Sequence, residues 1–170
     1  MHIGFTGHQR LADERAWHWV AKTIGDLLYD TPRPLVGVTA LAIGADRLFA
    51  ECVLANRGAL RVVVPFPEYE RVFDAVARDD YRRLLRNADE VFVLDRWGTD
   101  EDCYRAAGRA IVEDSDELIA VWDGLPAGGP GGTGDVVAYA LSCGRRVLQV
   151  NPVAREVVER PEAAPVGDES

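Results

Sequence analysis

Six short apolar runs, each separated from the next by a segment of helical periodicity, set the strongest constraint on how this 170-residue chain can fold. The runs are His2–Thr6, Leu35–Ala42, Leu60–Val64, Glu90–Leu94, Leu118–Trp122 and Arg146–Val150. Between the first two, Trp17, Val20, Ile24, Leu27 and Leu28 recur at helical spacing. Further helices are expected over 45–56, over 68–87 in two pieces, over 102–114 and over 135–142. Near-continuous apolar strands alternating with helices imply a parallel sheet covered on both faces. The expectation is a single doubly wound α/β domain over 1–152, closed by Asn151-Pro152. The acidic, Pro/Glu-rich remainder, 153–170, is expected to be disordered.

In such sheets ligands bind beyond the carboxyl ends of the strands, so the segments that follow each strand carry the functional reading. Thr6-Gly7-His8-Gln9-Arg10 follows the first. Gly7 permits a tight turn, and His8 and Arg10 offer donors to phosphate or carboxylate; a plain strand-to-helix turn fits equally well. After the second strand the chain turns at Gly44, and Asp46 opens the next helix. Asp46 either favours the helix dipole or accepts from ribose hydroxyls. Glu68 and Tyr69 follow Pro65-Phe66-Pro67 and are placed to close one side of a cleft. After the fifth strand, five glycines crowd the seven residues 128–134 immediately before a helix. That run is costly to order unless its backbone amides must reach a ligand; the bland alternative is a surface loop. Asp123 directly follows the same strand. Arg105 and Arg109 share a helix face, read as a solvated one, and Trp97 is placed to stack on a base. Trp17 and Trp122 are read as core.

Composition narrows the chemistry. Lys22 is the sole lysine among 19 basic residues. A Walker loop is therefore absent, and Schiff-base or pyridoxal-phosphate chemistry has no well-placed nucleophile. The formal charge is −9. From Arg155 onward two arginines stand against five carboxylates, so the body still carries about −6, which counts against nucleic acid as a partner. Three cysteines without a CxxC pair are expected as reduced core thiols of a cytoplasmic protein. No metal is expected, because the histidines do not pair with them at ligand spacing. No apolar stretch approaches the roughly 20 residues that span a bilayer, and Gly7–Arg10 interrupts any leader-like start.

Thr6-Gly7-His8, Ala40-Leu41-Ala42-Ile43-Gly44-Ala45-Asp46 and Gly131-Gly132-Thr133-Gly134 stand after the first, second and fifth strands. In that order they resemble the SLOG superfamily, which joins the DNA-processing (Smf) proteins to the lonely-guy phosphoribohydrolases. The resemblance spans residues 2–150 and is nearest to a small stand-alone bacterial branch. It implies a Rossmann-like fold and a nucleotide-like small molecule as partner, with no cofactor, and homodimers are common among such relatives. It also implies ligand contacts from Gly7, His8, Arg10, Gly44, Asp46, Glu68, Gly131, Gly132, Thr133 and Gly134. Lonely-guy enzymes carry two glutamates downstream of the glycine motif, and here Val137 and Ala138 stand in those places. The catalytic carboxylate of a phosphoribohydrolase would fall to Asp135 or Asp123. Single-stranded DNA binding, after the DNA-processing branch, is the third reading. A lysine decarboxylase is not.

Overall fold

The structure is a computed structural model that describes residues 1–126 and 131–160. The elements run β1 (His2–Gly7), α1 (Ala16–Tyr29), β2 (Val36–Thr39), α2 (Ala45–Ala55), β3 (Ala59–Val64), a 3-10 turn (Tyr69–Val72), α3 (Ala75–Arg86), β4 (Glu90–Val93), α4 (Asp100–Glu113), β5 (Glu117–Val121), α5 (Thr133–Ser142), β6 (Arg146–Asn151) and β7 (Glu156–Arg160). They form one seven-stranded sheet in the order β4-β3-β2-β1-β5-β6-β7. Every pairing is parallel except β6 with β7. The doubly wound α/β architecture expected from the sequence is the one observed.

Strand alternation divides the core between the two faces. Ile119 and Val121 of β5 pack with Phe5, Val20, Ile24 and Phe49 beneath α1 and α2. Leu118 and Ala120 turn the other way, onto Val136, Val137 and Ala140 of α5. Phe5 and Phe49 stack with ring centroids 4.4 Å apart and tie β1 directly to α2. Ala107 and Ile111 of α4 cover the opposite face through Val38 and Val63. Helix α4 starts in a capping box: the Thr99 hydroxyl accepts from the Asp102 amide at 3.2 Å, and the Asp102 carboxylate accepts from the Thr99 amide at 3.0 Å. Thr99→Ala is expected to lower the unfolding free energy by about 1 kcal/mol, read as a shift in urea midpoint at unchanged slope.

Three expectations need correction. The sheet does not stop at Asn151: Glu156–Arg160, assigned above to a disordered tail, forms the antiparallel edge strand β7. The Asn151 carboxamide accepts from the Val153 and Ala154 amides at 3.0 and 3.1 Å and turns the chain back. Arg146 then grips Glu159 through two hydrogen bonds of 2.9 and 3.0 Å. Residues 161–170 lie outside the described residues. The second correction concerns β4, an apolar run whose four residues are all exposed because the strand lies at the open edge of the sheet. The third concerns the cysteines: Cys103 is buried, but Cys52 is half-buried and Cys143, capping the end of α5, is exposed. No helix among the described residues is long and apolar enough to cross a membrane.

Candidate functional site

From β1 the chain winds outward to β2, β3 and β4, and from β5 it winds the other way. The adjacent carboxyl ends of β1 and β5 are therefore the switch point at which such folds place a ligand. A cleft of about 780 Å³ opens there.

Its base is fixed by two glycines. A Cβ on Gly7 would stand 2.6 Å from Cβ of Ala45, so only glycine lets the end of β1 touch the first turn of α2. Gly44 has φ +90°, and a Cβ there would lie 2.4 Å from the carbonyl oxygen of Gln9. Between them runs His8. Its carbonyl accepts from the Ala45 amide and its amide donates to the Val121 carbonyl, both at 3.1 Å. His8 Nε2 accepts from the Asp123 amide at 3.3 Å and lies 3.3 Å from that residue's carboxylate.

Among the described residues Asp46 is the one carboxylate that lines the cleft, and it is only 5% exposed. The buried Thr39 hydroxyl donates to it at 2.9 Å and itself accepts from the Leu41 amide at 3.2 Å. Burial drives its pKa from the ordinary 3.8 up to about 7, with Thr39, the Ala42 and Ala40 amides and the Arg47 charge pulling the other way. A cleft carboxyl whose ionisation is shifted this way by burial is a candidate for binding or proton transfer.

Part of the wall is aromatic. Tyr69, Phe73 and Tyr104 line the cleft, with the Tyr69 ring 5.0 Å from Phe73 and 6.1 Å from Tyr104. Burial raises the Tyr69 pKa, and the Asp46 charge adds to the effect, so its phenol stays protonated as a donor. Ala107, Gly108 and Ile111 of α4 form the floor. On the fourth side Gly131, with φ +78°, packs on Tyr104 and Arg105, and Gly132 to Gly134 lead into α5. The Gly131 amide is already engaged, donating to the Asp135 carboxylate at 2.9 Å.

Of the residues expected at the site, Gly7, His8, Asp46, Gly131, Gly132, Thr133 and Gly134 line the cleft. Gly44 does not, but it supports Gln9, which does. Four others stand off the wall. Asp123 reaches it through His8, and Asp135 through the Gly131 amide. Arg10 is exposed beyond the turn, and Glu68 is an exposed turn residue with φ +59°. Trp97 is also away from the cleft and exposed, whereas Trp122, expected in the core, lines the cleft and donates to the Leu125 carbonyl at 2.7 Å. Arg105 pairs with Asp102 and Arg109 lies over the Tyr139 ring, as a solvated face would have it. Residues 127–130 of the glycine run lie outside the described residues. Phe73 and the α4 floor were not singled out from the sequence; the run of small residues Ala106-Ala107-Gly108 in α4 is the signal that could have found the floor. Among the described residues no group of three or more His, Cys, Asp or Glu side chains is placed to hold a metal.

The sequence matches no family model and no curated protein. Solved structures do match. DNA processing protein A from Streptococcus pneumoniae superposes with a TM-score of 0.63 at 20% identity, over 87% of this chain and 49% of that one. The fold is shared with that protein. A second DNA processing protein A, from Helicobacter pylori and described for its single-stranded DNA binding mode, gives 0.64 at 13% identity, covering 88% of this chain and 64% of that one. The structural-genomics target TM1055 gives 0.55 at 12% identity, over 86% and 71%. The chain thus spans about half to two thirds of the DNA-processing proteins, and what it shares with them is the Rossmann-like α/β fold.

Proposed function

We propose that the cleft binds a nucleotide or nucleotide-derived small molecule. The observation that carries this reading is one cavity lined both by aromatic rings and by a buried carboxyl. A base stacks against Tyr69, Phe73 and Tyr104, while ribose hydroxyls donate to Asp46. At about 780 Å³ the space suits a ligand of that size. Thr39 donates to the carboxyl at 2.9 Å, and the Ala40 and Ala42 amides add to its support. The test is a thermal-shift series with nucleosides, nucleotides, nucleotide sugars and ADP-ribose. Binding at 100-fold above Kd raises the folding free energy by about 2.7 kcal/mol, so a rise of several degrees is expected from at least one of them. A flat response to all of them at millimolar concentration overturns the reading.

An N-glycosidase is the second reading, and Asp46 favours it. Cleavage of a glycosidic bond passes through an oxocarbenium-like state whose leaving base gains from protonation. A carboxyl with a pKa of about 7 can supply that proton. Asp135 and Asp123, the candidates expected from the sequence, contact the Gly131 amide and His8. Incubation with adenosine or AMP and chromatography for free adenine decides the matter: many turnovers that vanish in Asp46→Asn support the enzyme, and none supports binding alone. Single-stranded DNA, which draws affinity from basic side chains, finds none of them on the cleft wall.

A further inference from the structure

We infer that Gln149 is a positioning residue of the cleft. Through the peptide that joins Trp122 to Asp123 it holds His8 in the tautomer with its proton on Nδ1, so that His8 meets the ligand as a hydrogen-bond donor. The inference rests on the ligand-binding reading above and deepens it. Gln149 stands within β6 and is only 1% exposed, and a buried carboxamide needs partners at both ends. Arg160 of β7 donates from Nε to its Oε1 at 2.7 Å, and its Nε2 donates to the Trp122 carbonyl at 2.9 Å. An arginine only donates and a carbonyl only accepts, so the carboxamide has a single orientation. The chain then turns at Gly124, φ +88°, where a Cβ would touch both Gln149 and Arg160 at 3.4 and 3.6 Å.

The Trp122 carbonyl and the Asp123 amide belong to one planar peptide unit. Gln149 grips the first, and the second donates to His8 Nε2 at 3.3 Å. A ring nitrogen that accepts a hydrogen bond carries no proton, so neutral His8 carries its proton on Nδ1. The Asp123 carboxylate also lies 3.3 Å from Nε2, but its Oδ1 accepts from the Leu125 amide at 3.0 Å. Among the described residues Nδ1 has no hydrogen-bond partner, and His8 lines the cleft with 30% of its side chain exposed. Its N–H is left for an acceptor atom of the ligand. Without Gln149 the peptide unit is free to rotate, and the ring can take the Nε2–H form and pair with the Asp123 carboxylate instead.

The experiment reads the tautomer directly. Two-bond 1H–15N spectra of the full chain at pH 8 separate the two neutral forms. The chain has three histidines, and His8 is assigned by the signal lost in His8→Gln. Wild-type His8 is expected in the Nδ1–H form. Gln149→Glu keeps an acceptor for Arg160 but sets an oxygen against the Trp122 carbonyl. The ratio of Nε2–H to Nδ1–H at His8 is expected to rise about fivefold, with His2 and His18 unchanged. Arg160→Met, on the edge strand, should move the ratio in the same direction and carries the test if Gln149→Glu does not fold. Arg146→Gln loosens β7 at Glu159 without touching Gln149 or Trp122, and as the control it should leave the ratio alone. Calorimetric titration with adenosine, AMP and ADP-ribose supplies the second readout: affinity for whichever binds is expected to fall about tenfold in Gln149→Glu or Arg160→Met, but not in the control. A wild-type His8 in the Nε2–H form, or a ratio and an affinity that neither variant moves, overturns the inference and leaves the nucleotide reading standing. Silence from all three probes in the wild type overturns that reading and the donor role of His8 with it.

Discussion

Titrated upward from pH 4 to pH 8, the folded protein is expected to lose about 4 kcal/mol of stability through Asp46 alone. The carboxyl has a folded pKa of about 7 against an ordinary 3.8, because burial penalises the charged form more than Thr39 and the nearby amides favour it. Below pH 4 the group is neutral in both the folded and unfolded chains. Between the two values the folded state keeps a proton that the unfolded chain has released, so stability falls as pH rises, and above pH 7 the loss is complete. Exposed carboxylates held down by arginines, such as Glu70 beside Arg82 and Glu159 beside Arg146, act in the opposite sense and over a lower range. The clean measurement is therefore a difference. Urea unfolding of wild type and Asp46→Asn at half-unit pH steps should show the variant gaining on the wild type from pH 4 to 7 and then holding level. Parallel curves across that range would show that the carboxyl ionises as freely as it does in water. A ligand that donates to Asp46 favours its charged form, so binding should draw its pKa down and release a proton near pH 7.

Gly44→Ala should be the most damaging single methyl that can be added to the site. At φ +90° an L side chain is strained, and the new Cβ would meet the Gln9 carbonyl oxygen at 2.4 Å with no flexible side chain to yield. The cost is expected to be about 3 kcal/mol or more, from backbone strain and the displaced turn together. The turn that moves carries His8, whose carbonyl and amide bridge α2 and β5. Ligand-induced thermal stabilisation should therefore disappear even where the variant is still folded by circular dichroism. Gly25→Ala is the control: a Cβ there meets nothing within 4 Å, and helix propensity favours it by up to about 1 kcal/mol. A Gly44→Ala protein with wild-type stability and ligand response would show that the turn can be rebuilt without glycine.

The frame of the molecule was legible because strands buried on both faces cannot disguise themselves. Leu60–Val64 and Leu118–Trp122 read as apolar runs, and they pair as β3 and β5. Order within the sheet was not legible. Val91, Phe92 and Val93 look in sequence like a central strand, and nothing local says that β4 is left at the rim. Strand β7 was missed because Glu156, Glu159 and Arg160 have the composition of a tail. Their charges are satisfied only after folding, when Arg146 meets Glu159 and Arg160 donates to Gln149 at 2.7 Å. At the site, Gly7 and His8 were readable because the end of a parallel strand points at the cleft, and Asp46 and Gly131 to Gly134 because they stand where a helix starts beside it. Arg10 and Glu68 lie in exposed turns that carry the chain outward. The α4 floor was hidden for a different reason. Its residues reach the cleft from the middle of a helix, and only the packing of α4 across the sheet brings them there.

The contact between Gly7 and Ala45 has a consequence for how such a site can change over time. The half of the cleft built from β1 and α2 is also a joint of the framework, so almost any substitution there is felt first as instability. The aromatic half is tied to the framework as well: Tyr69 and Phe73 are each 5% exposed and pack in one cluster with Leu60, Val62 and Val64 of β3 and Ala50 of α2, while Tyr104 lies only partly buried against them. Of the three rings, Tyr104 has the least of its surface committed to the core. A lineage built on this scaffold would keep the turn, the buried carboxyl and the glycines, and would find its cheapest route to a new ligand at that one position.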